Sequence, residues 1–91
     1  MNYIERTTQA LLAELPKLDS DLAGLYVLLI LIKGIDTTLE DVHDAWSVWR
    51  SKTRPDHKSI VWFYMLTFEV QELDRKYMEA IHKVARKVSK I

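Results

Sequence analysis

Cysteine is missing from the 91 residues, and glycine and proline occur only twice each. Without a thiol the chain has no disulfide framework, thiolate zinc site, iron–sulfur cluster or cysteine nucleophile. That composition suits a reducing compartment. There is no Gly-rich phosphate loop, and no GxSxG element to present a serine nucleophile. Net charge is missing too. The 13 basic and 13 acidic side chains cancel, which removes the simplest electrostatic argument for a nucleic-acid binder. Long apolar runs are scarce. The one present, Leu22 to Ile32, has eleven residues. As a helix it would span about 16 Å, about half the hydrocarbon thickness of a bilayer, so it reads as a buried helix rather than a membrane span. The first fifteen residues carry charges throughout, so no signal peptide is expected and the expected location is cytoplasmic.

What the chain does have is helical periodicity. Its length predicts a single domain over residues 1–91, with one modest core and a stability of a few kcal/mol unless a partner adds to it. Helix 1 is predicted over about Asn2 to Leu15, with Ile4, Thr8, Leu11, Leu12 and Leu15 on one face. Pro16 ends it, and Asp19 or Ser20 can cap the next helix. Helix 2, about Asp21 to Lys33, is apolar nearly all round and should be enclosed by other helices or by a partner. Gly34 follows it in the C′ position. TTLED offers Thr37 with Glu40, or Thr38 with Asp41, as a capping box for helix 3. The inward face of that helix is predicted to be Leu39, Val42, Trp46 and Trp49.

Helix 3 should fade near Lys52, ahead of the TRPDH loop. The run SIVWFYML looks strand-like by propensity but finds no partner strand in the chain. It is expected to be an irregular apolar connection, a short helical turn, or an edge that pairs between protomers. Thr67 should cap a fourth helix, and a last helix from about Arg75 carries Tyr77, Ile81, Val84 and Val88 on its inner face. The predicted fold is all-α: a compact bundle of four to five short helices with an irregular apolar connection near residues 57–66.

The charge balance hides a polarity. Residues 1–74 hold seven basic and twelve acidic side chains, whereas residues 75–91 hold six basic and one acidic. The basic face of the last helix, Lys83, Arg86, Lys87 and Lys90, could meet an anion or nucleic acid. With no aromatic–basic interleaving beside it, a solvated face that suits the helix C-terminus is the simpler reading. His43, His57 and His82 raise a metal question, but no HxxxH or HExxH spacing occurs and no cysteine can help. Two of them with Asp44 or Asp56 make a poor zinc set. Neither a metal nor any other cofactor is expected, and no catalytic constellation stands out.

The strongest local signal is VHDAWSVW, residues 42–49. His43, Trp46 and Arg50 share one side of a helix. Together they can bind an anionic or aromatic ligand by hydrogen bonding, stacking and cation–π contact. Equally, Trp49 can be core and His43 can hydrogen-bond a neighbouring loop.

From Asp41 to Arg75 the chain resembles the RyR domain, the repeat module of ryanodine receptors that also occurs in bacterial and phage proteins. The resemblance rests on VHDAW, the basic Arg50, His57 after the loop, SIVWF, Leu66, and LDR at Leu73 to Arg75. Over nearly its whole length the chain also resembles small uncharacterised proteins of actinobacteria and their phages. Here the shared features are MNYIERT, ELP, the KG of Lys33 and Gly34, EDVHDAW, and YMEAIHKVAR. The chain departs from both groups where they have proline and an acidic pair, since it has Trp62, Tyr64 and Met65 there.

These resemblances imply a binding module, not an enzyme, in the cytoplasm of a bacterium or of a phage-infected host. The leading expectation is protein–protein contact, with a host protein or with itself as a homo-oligomer, through His43, Trp46, Arg50, His57, Trp62, Tyr64 and Met65. Exposed Trp, Tyr and Met are interface-forming residues. The alternative is a nucleotide-like small ligand held by His43, Trp46, Arg50 and His57. Nucleic acid at the terminal helix is a weaker third, and no membrane partner is expected.

Overall fold

Helix caps written in the sequence set where the elements begin. A computed structural model describes residues 1–88, so Lys90 of the proposed basic face lies outside the described residues. Helix α1 runs Tyr3–Glu14, with Asn2 and Glu5 closing a capping box. Helix α2 runs Ser20–Ile32, and the Asp19 carboxylate accepts from the amides of Asp21 and Leu22. Gly34, at φ +56°, then opens a 3-10 turn, Gly34–Asp36. A Cβ there would meet only the Ala85 Cβ, at 3.8 Å, so backbone conformation rather than space is what calls for glycine.

Helix α3, Leu39–Ser51, begins on the second of the two predicted boxes: Thr38 accepts from the Asp41 amide, and Asp41 accepts from the Thr38 amide. Lys33 adds an ion pair to Asp41 at 2.9 Å. Thr37 instead turns inward, and its hydroxyl donates to the Gly34 carbonyl at 2.8 Å. Thr38→Ala is expected to remove about 1 kcal/mol, lowering the thermal midpoint by about 5 °C; a melt within a degree of the parent would mean that the box contributes nothing.

After α3 the chain is irregular to a 3-10 turn at Phe63–Met65. Short α4, Phe68–Glu72, is capped by Thr67, and α5 follows over Arg75–Val88. The described residues thus form an all-helical bundle: four helices of twelve to fourteen residues, one of five, and no strand. SIVWFYML takes the connection-with-turn form. It forms no strand; turn bonds and side-chain bonds to the Val61, Phe63 and Leu66 carbonyls take up part of its backbone.

The core is where α1, α2, α3 and α5 meet: Leu11, Leu22, Tyr26, Val27, Ile30, Val42, Ile81 and Val84. Three predicted faces need correction. The buried stripe of α1 is Thr7 and Leu11, with Ile4 exposed; the Thr7 hydroxyl can turn inward because it donates to the Tyr3 carbonyl at 2.7 Å. Trp46 and Trp49 are half-buried at the edge of the core, and it is His43 that lies fully inside beside Val42. Helix α2 is not enclosed. Leu28, Leu31 and Ile32, with Ile35 just beyond, remain exposed.

Candidate functional site

The predicted site residues fall into two groups on either side of α3. Trp46, Arg50 and His57 line a cleft of about 1050 Å³, with His43 at its inner wall. Trp62 and Met65 belong instead to a shallower groove of about 510 Å³ that they share with Asp44, Val48 and Val61. Tyr64 is exposed in the same turn.

His43 joins the two groups. It is only 3% exposed, and its Nε2 lies 2.7 Å from the Val61 carbonyl. A carbonyl only accepts, so Nε2 carries the proton. The ring stacks on Trp46 at 5.9 Å and meets Phe63 at 6.0 Å. His57 stands edge-on to Trp46 at 5.2 Å. Its Nδ1 accepts from the Ser59 amide at 3.1 Å, which in the neutral ring leaves Nε2 as a donor. Gln71, which the sequence did not mark, donates from Nε2 to the Phe63 carbonyl at 3.0 Å and to the Leu66 carbonyl at 3.3 Å. Two side chains therefore tie down the backbone of the apolar connection, while Trp62, Tyr64 and Met65 stay outside. Trp62 is 65% exposed, Tyr64 75% and, one turn later, Phe68 71%.

The cleft also contains residues that no motif pointed to. Tyr26 and Tyr77 lie at 5.9 Å in its floor, and burial pushes the Tyr26 phenol well above its ordinary pKa. Trp49 donates from Nε1 to Asp19 at 3.0 Å, so one carboxylate caps α2 and ties it to α3. The amide of Leu22, more than that of Asp21 or the indole, holds the Asp19 carboxyl below its usual range.

Most carboxylates at the cleft are similarly committed. Glu14 binds Lys83 at 3.1 Å and Lys87 at 3.5 Å, and Glu72 binds Arg75 through two contacts of 2.8 and 3.0 Å. Asp74 differs. No described side chain or amide donates to its carboxylate, and burial raises its pKa, with His43 partly offsetting the rise. Arg50 is the matching cation. Its guanidinium lies 4.4 Å from the Trp49 ring centre, and its buried Nε has no hydrogen-bond partner.

The predicted basic face is partly spent on the fold. Lys83 and Lys87 hold α5 to α1 through Glu14, and Arg86 is the third exposed residue of that face among the three described. His82, the third candidate metal residue, lies 2.7 Å from the Thr37 carbonyl through Nε2 and clamps the start of α3. Among the described residues no three His, Asp or Glu side chains gather as a metal site, and no helix is long and apolar enough to cross a membrane.

A family model described as a domain of unknown function, DUF7701, matches residues 2–86. The chain belongs to that family. The match takes in both the cleft and the apolar connection, from the first helix cap to the last turns of α5. No curated protein and no solved structure matches the chain.

Proposed function

We propose that this protein acts by protein–protein contact, and that what docks on its exposed apolar turn is a second copy of the chain. The observation that carries the reading is the outward set of Val48, Trp62, Tyr64, Met65 and Phe68 on a backbone already fixed by His43 and Gln71. Exposed aromatic rings of about 150–250 Å² each bring this face near the roughly 800 Å² per partner that a stable interface needs. Fixing the backbone before contact lowers the ordering cost of binding.

Charge selects the occupant. The connection that leads into this face carries Lys52, Arg54 and Lys58 against Asp56, all exposed, while Asp44 lies in the groove itself. The other unpartnered apolar surface is the α2 stripe of Leu28, Leu31, Ile32 and Ile35. It is flanked by exposed Asp36 and Glu40, while Lys33 is already paired to Asp41. The basic connection of one copy can meet the acidic flank of the next, which seats the apolar turn of one copy on the α2 stripe of the next. Such a contact is heterologous and builds a ring or an open filament. A self-assembling, non-catalytic module is in line with the binding module that the resemblances imply, and the cytoplasmic setting comes with the same proposal.

Light scattering on the pure protein tests it. Molar mass should rise with concentration above the 10.7 kDa monomer. The double substitutions Trp62→Asp/Tyr64→Asp and Leu28→Lys/Ile32→Lys should each give monomers. Mixing the two variants should restore one contact only, and the mass should stop at a dimer. A parent that stays monomeric at millimolar concentration sinks the reading. If the α2 variant still dimerises alone, the contact is turn-to-turn, and the head-to-tail geometry is wrong.

A further inference from the structure

We infer that Gly24 is a docking notch on α2, where the Trp62 ring of the next copy lies against helix backbone. Gly24 takes this role only if copies self-associate as proposed above, and it places their contact. The monomer itself has no need of this glycine. Gly24 is exposed in the interior of α2, where glycine is among the poorest helix formers. Two ordinary reasons for a glycine do not apply. Its φ is not positive, unlike that of Gly34. A Cβ added to it would meet nothing within 4 Å among the described residues, so no neighbour in the fold requires the space.

The place of Gly24 on the helix gives that space a use. At about 100° per residue, Gly24, Leu28 and Leu31 fall within about 60° of one another on the circumference. Ser20, Asp21 and Ile32 flank them, and the whole arc is exposed. Gly24 is therefore a gap in the middle of the open stripe, with leucines one and two turns beyond it and Asp21 one turn before it. A missing side chain deepens the groove between the rows of its neighbours and lets a flat group reach the backbone. An added methyl would hold that group off. Among the exposed aromatic residues of the docking face, Trp62 is the one that shares a groove with Val48 and Met65. A large ring with apolar neighbours around it is the kind of side chain that anchors an interface. Its indole N–H wants an acceptor once it is covered, and the exposed Asp21 carboxylate stands beside the notch. Asp21 also carries the acidic flank of Asp36 and Glu40 to this end of the stripe, which suits the basic connection of a second copy.

Melting and light scattering of Gly24→Ala set the two roles against each other. In dilute solution the thermal midpoint should rise by about 4 °C, since alanine is the better helix former and meets nothing in the monomer. Self-association should nevertheless weaken by about tenfold. A midpoint below the parent's would mean that the fold itself needs the glycine, and overturns the assignment. The mixed pair of double variants locates the effect. Only the Trp62→Asp/Tyr64→Asp copy offers its α2 stripe to a turn, so Gly24→Ala added to that copy should weaken the pair by about tenfold. Added to the Leu28→Lys/Ile32→Lys copy it should change nothing. An unweakened pair in the first arrangement, or equal weakening in both, overturns the role of Gly24 and leaves self-association standing. Trp62→Phe in the copy that supplies the turn should lessen the penalty of Gly24→Ala in its partner, because a smaller ring leaves room for the methyl. An unchanged penalty would put another side chain in the notch and overturn the assignment to Trp62. A parent that never associates removes both the contact and its notch.

Discussion

Ile81→Ala is expected to remove about 3 kcal/mol of folding stability, while Ile32→Ala changes the monomer by less than about 0.5 kcal/mol. Both are helical isoleucines, and both are truncated by the same atoms. Ile81 is 0% exposed, at the point where α5 packs on α1, α2 and α3, and it is surrounded by Leu11, Tyr26, Val42 and Val84. Truncation there loses the transfer energy of three carbons and leaves a cavity that four packed helices cannot fully close. Ile32 is 66% exposed at the end of α2, so truncation returns little surface to water that was not already there. A chain of 91 residues holds about 5–13 kcal/mol in total, so the first loss is a large fraction of the whole. Urea unfolding in dilute solution reads both: the Ile81→Ala midpoint should drop sharply with the slope unchanged, and the Ile32→Ala midpoint should stay near the parent's. Equal losses would mean that the α2 stripe is covered within the monomer, and the self-association proposal would lose its second face.

That contrast marks what the sequence makes legible. Local rules act over three or four residues, and they placed the helices. Asp19, Thr38 and Thr67 are among the caps their spacing predicts, and Gly34 takes the positive φ of a C′ glycine, whereas Asn2, read as the first helical residue, is the cap of α1. What local rules do not contain is how each helix is rotated against its neighbours. Helix α2 has no polar side to declare which way it faces, so its exposed stripe could not be read from its pattern. In α1, threonine at position 7 hides its hydroxyl on its own backbone and enters the core as if apolar. The two tryptophans of α3 read as inward by their spacing, and they do pack against the core, yet each is only half-buried, at the cleft.

The candidate site divides in the same way. Residues His43, Trp46, Arg50 and His57 were visible as a stripe because a single helix and its following loop carry them. Asp74 and Gln71 were not, because what marks Asp74 is its burial in the fold and what marks Gln71 is a pair of backbone carbonyls in the preceding turn. Asp74 sits in a segment that reads as an ordinary helix junction, and its raised pKa is produced by burial against α2 and α3 rather than by any neighbour in sequence. Gln71 is one polar residue on a short amphipathic turn until the Phe63 and Leu66 carbonyls appear above it.

His43→Ala is expected to cost about 2 kcal/mol and to release the connection between His57 and Leu66 before it affects the helices. The ring fills a space bounded by Trp46 and Phe63, so alanine leaves a void there. It also strands the Val61 carbonyl, which has no other described donor. Losing that anchor leaves Gln71 alone to hold the turn, from its far side. Amide hydrogen exchange separates the two effects. Residues 57–66 should exchange much faster, while α1, α2 and α5 stay protected to the extent that the residual stability allows. His43→Gln supplies an amide N–H and should recover part of the protection. If the turn must be fixed for docking, His43→Ala should also weaken self-association although it replaces no exposed residue, and Gln71→Ala should do the same while leaving the cleft lining intact. A variant whose loop exchanges freely but whose molar mass still climbs as the parent's does would show that docking does not require a preformed turn, and would move the interface away from Trp62 and Tyr64.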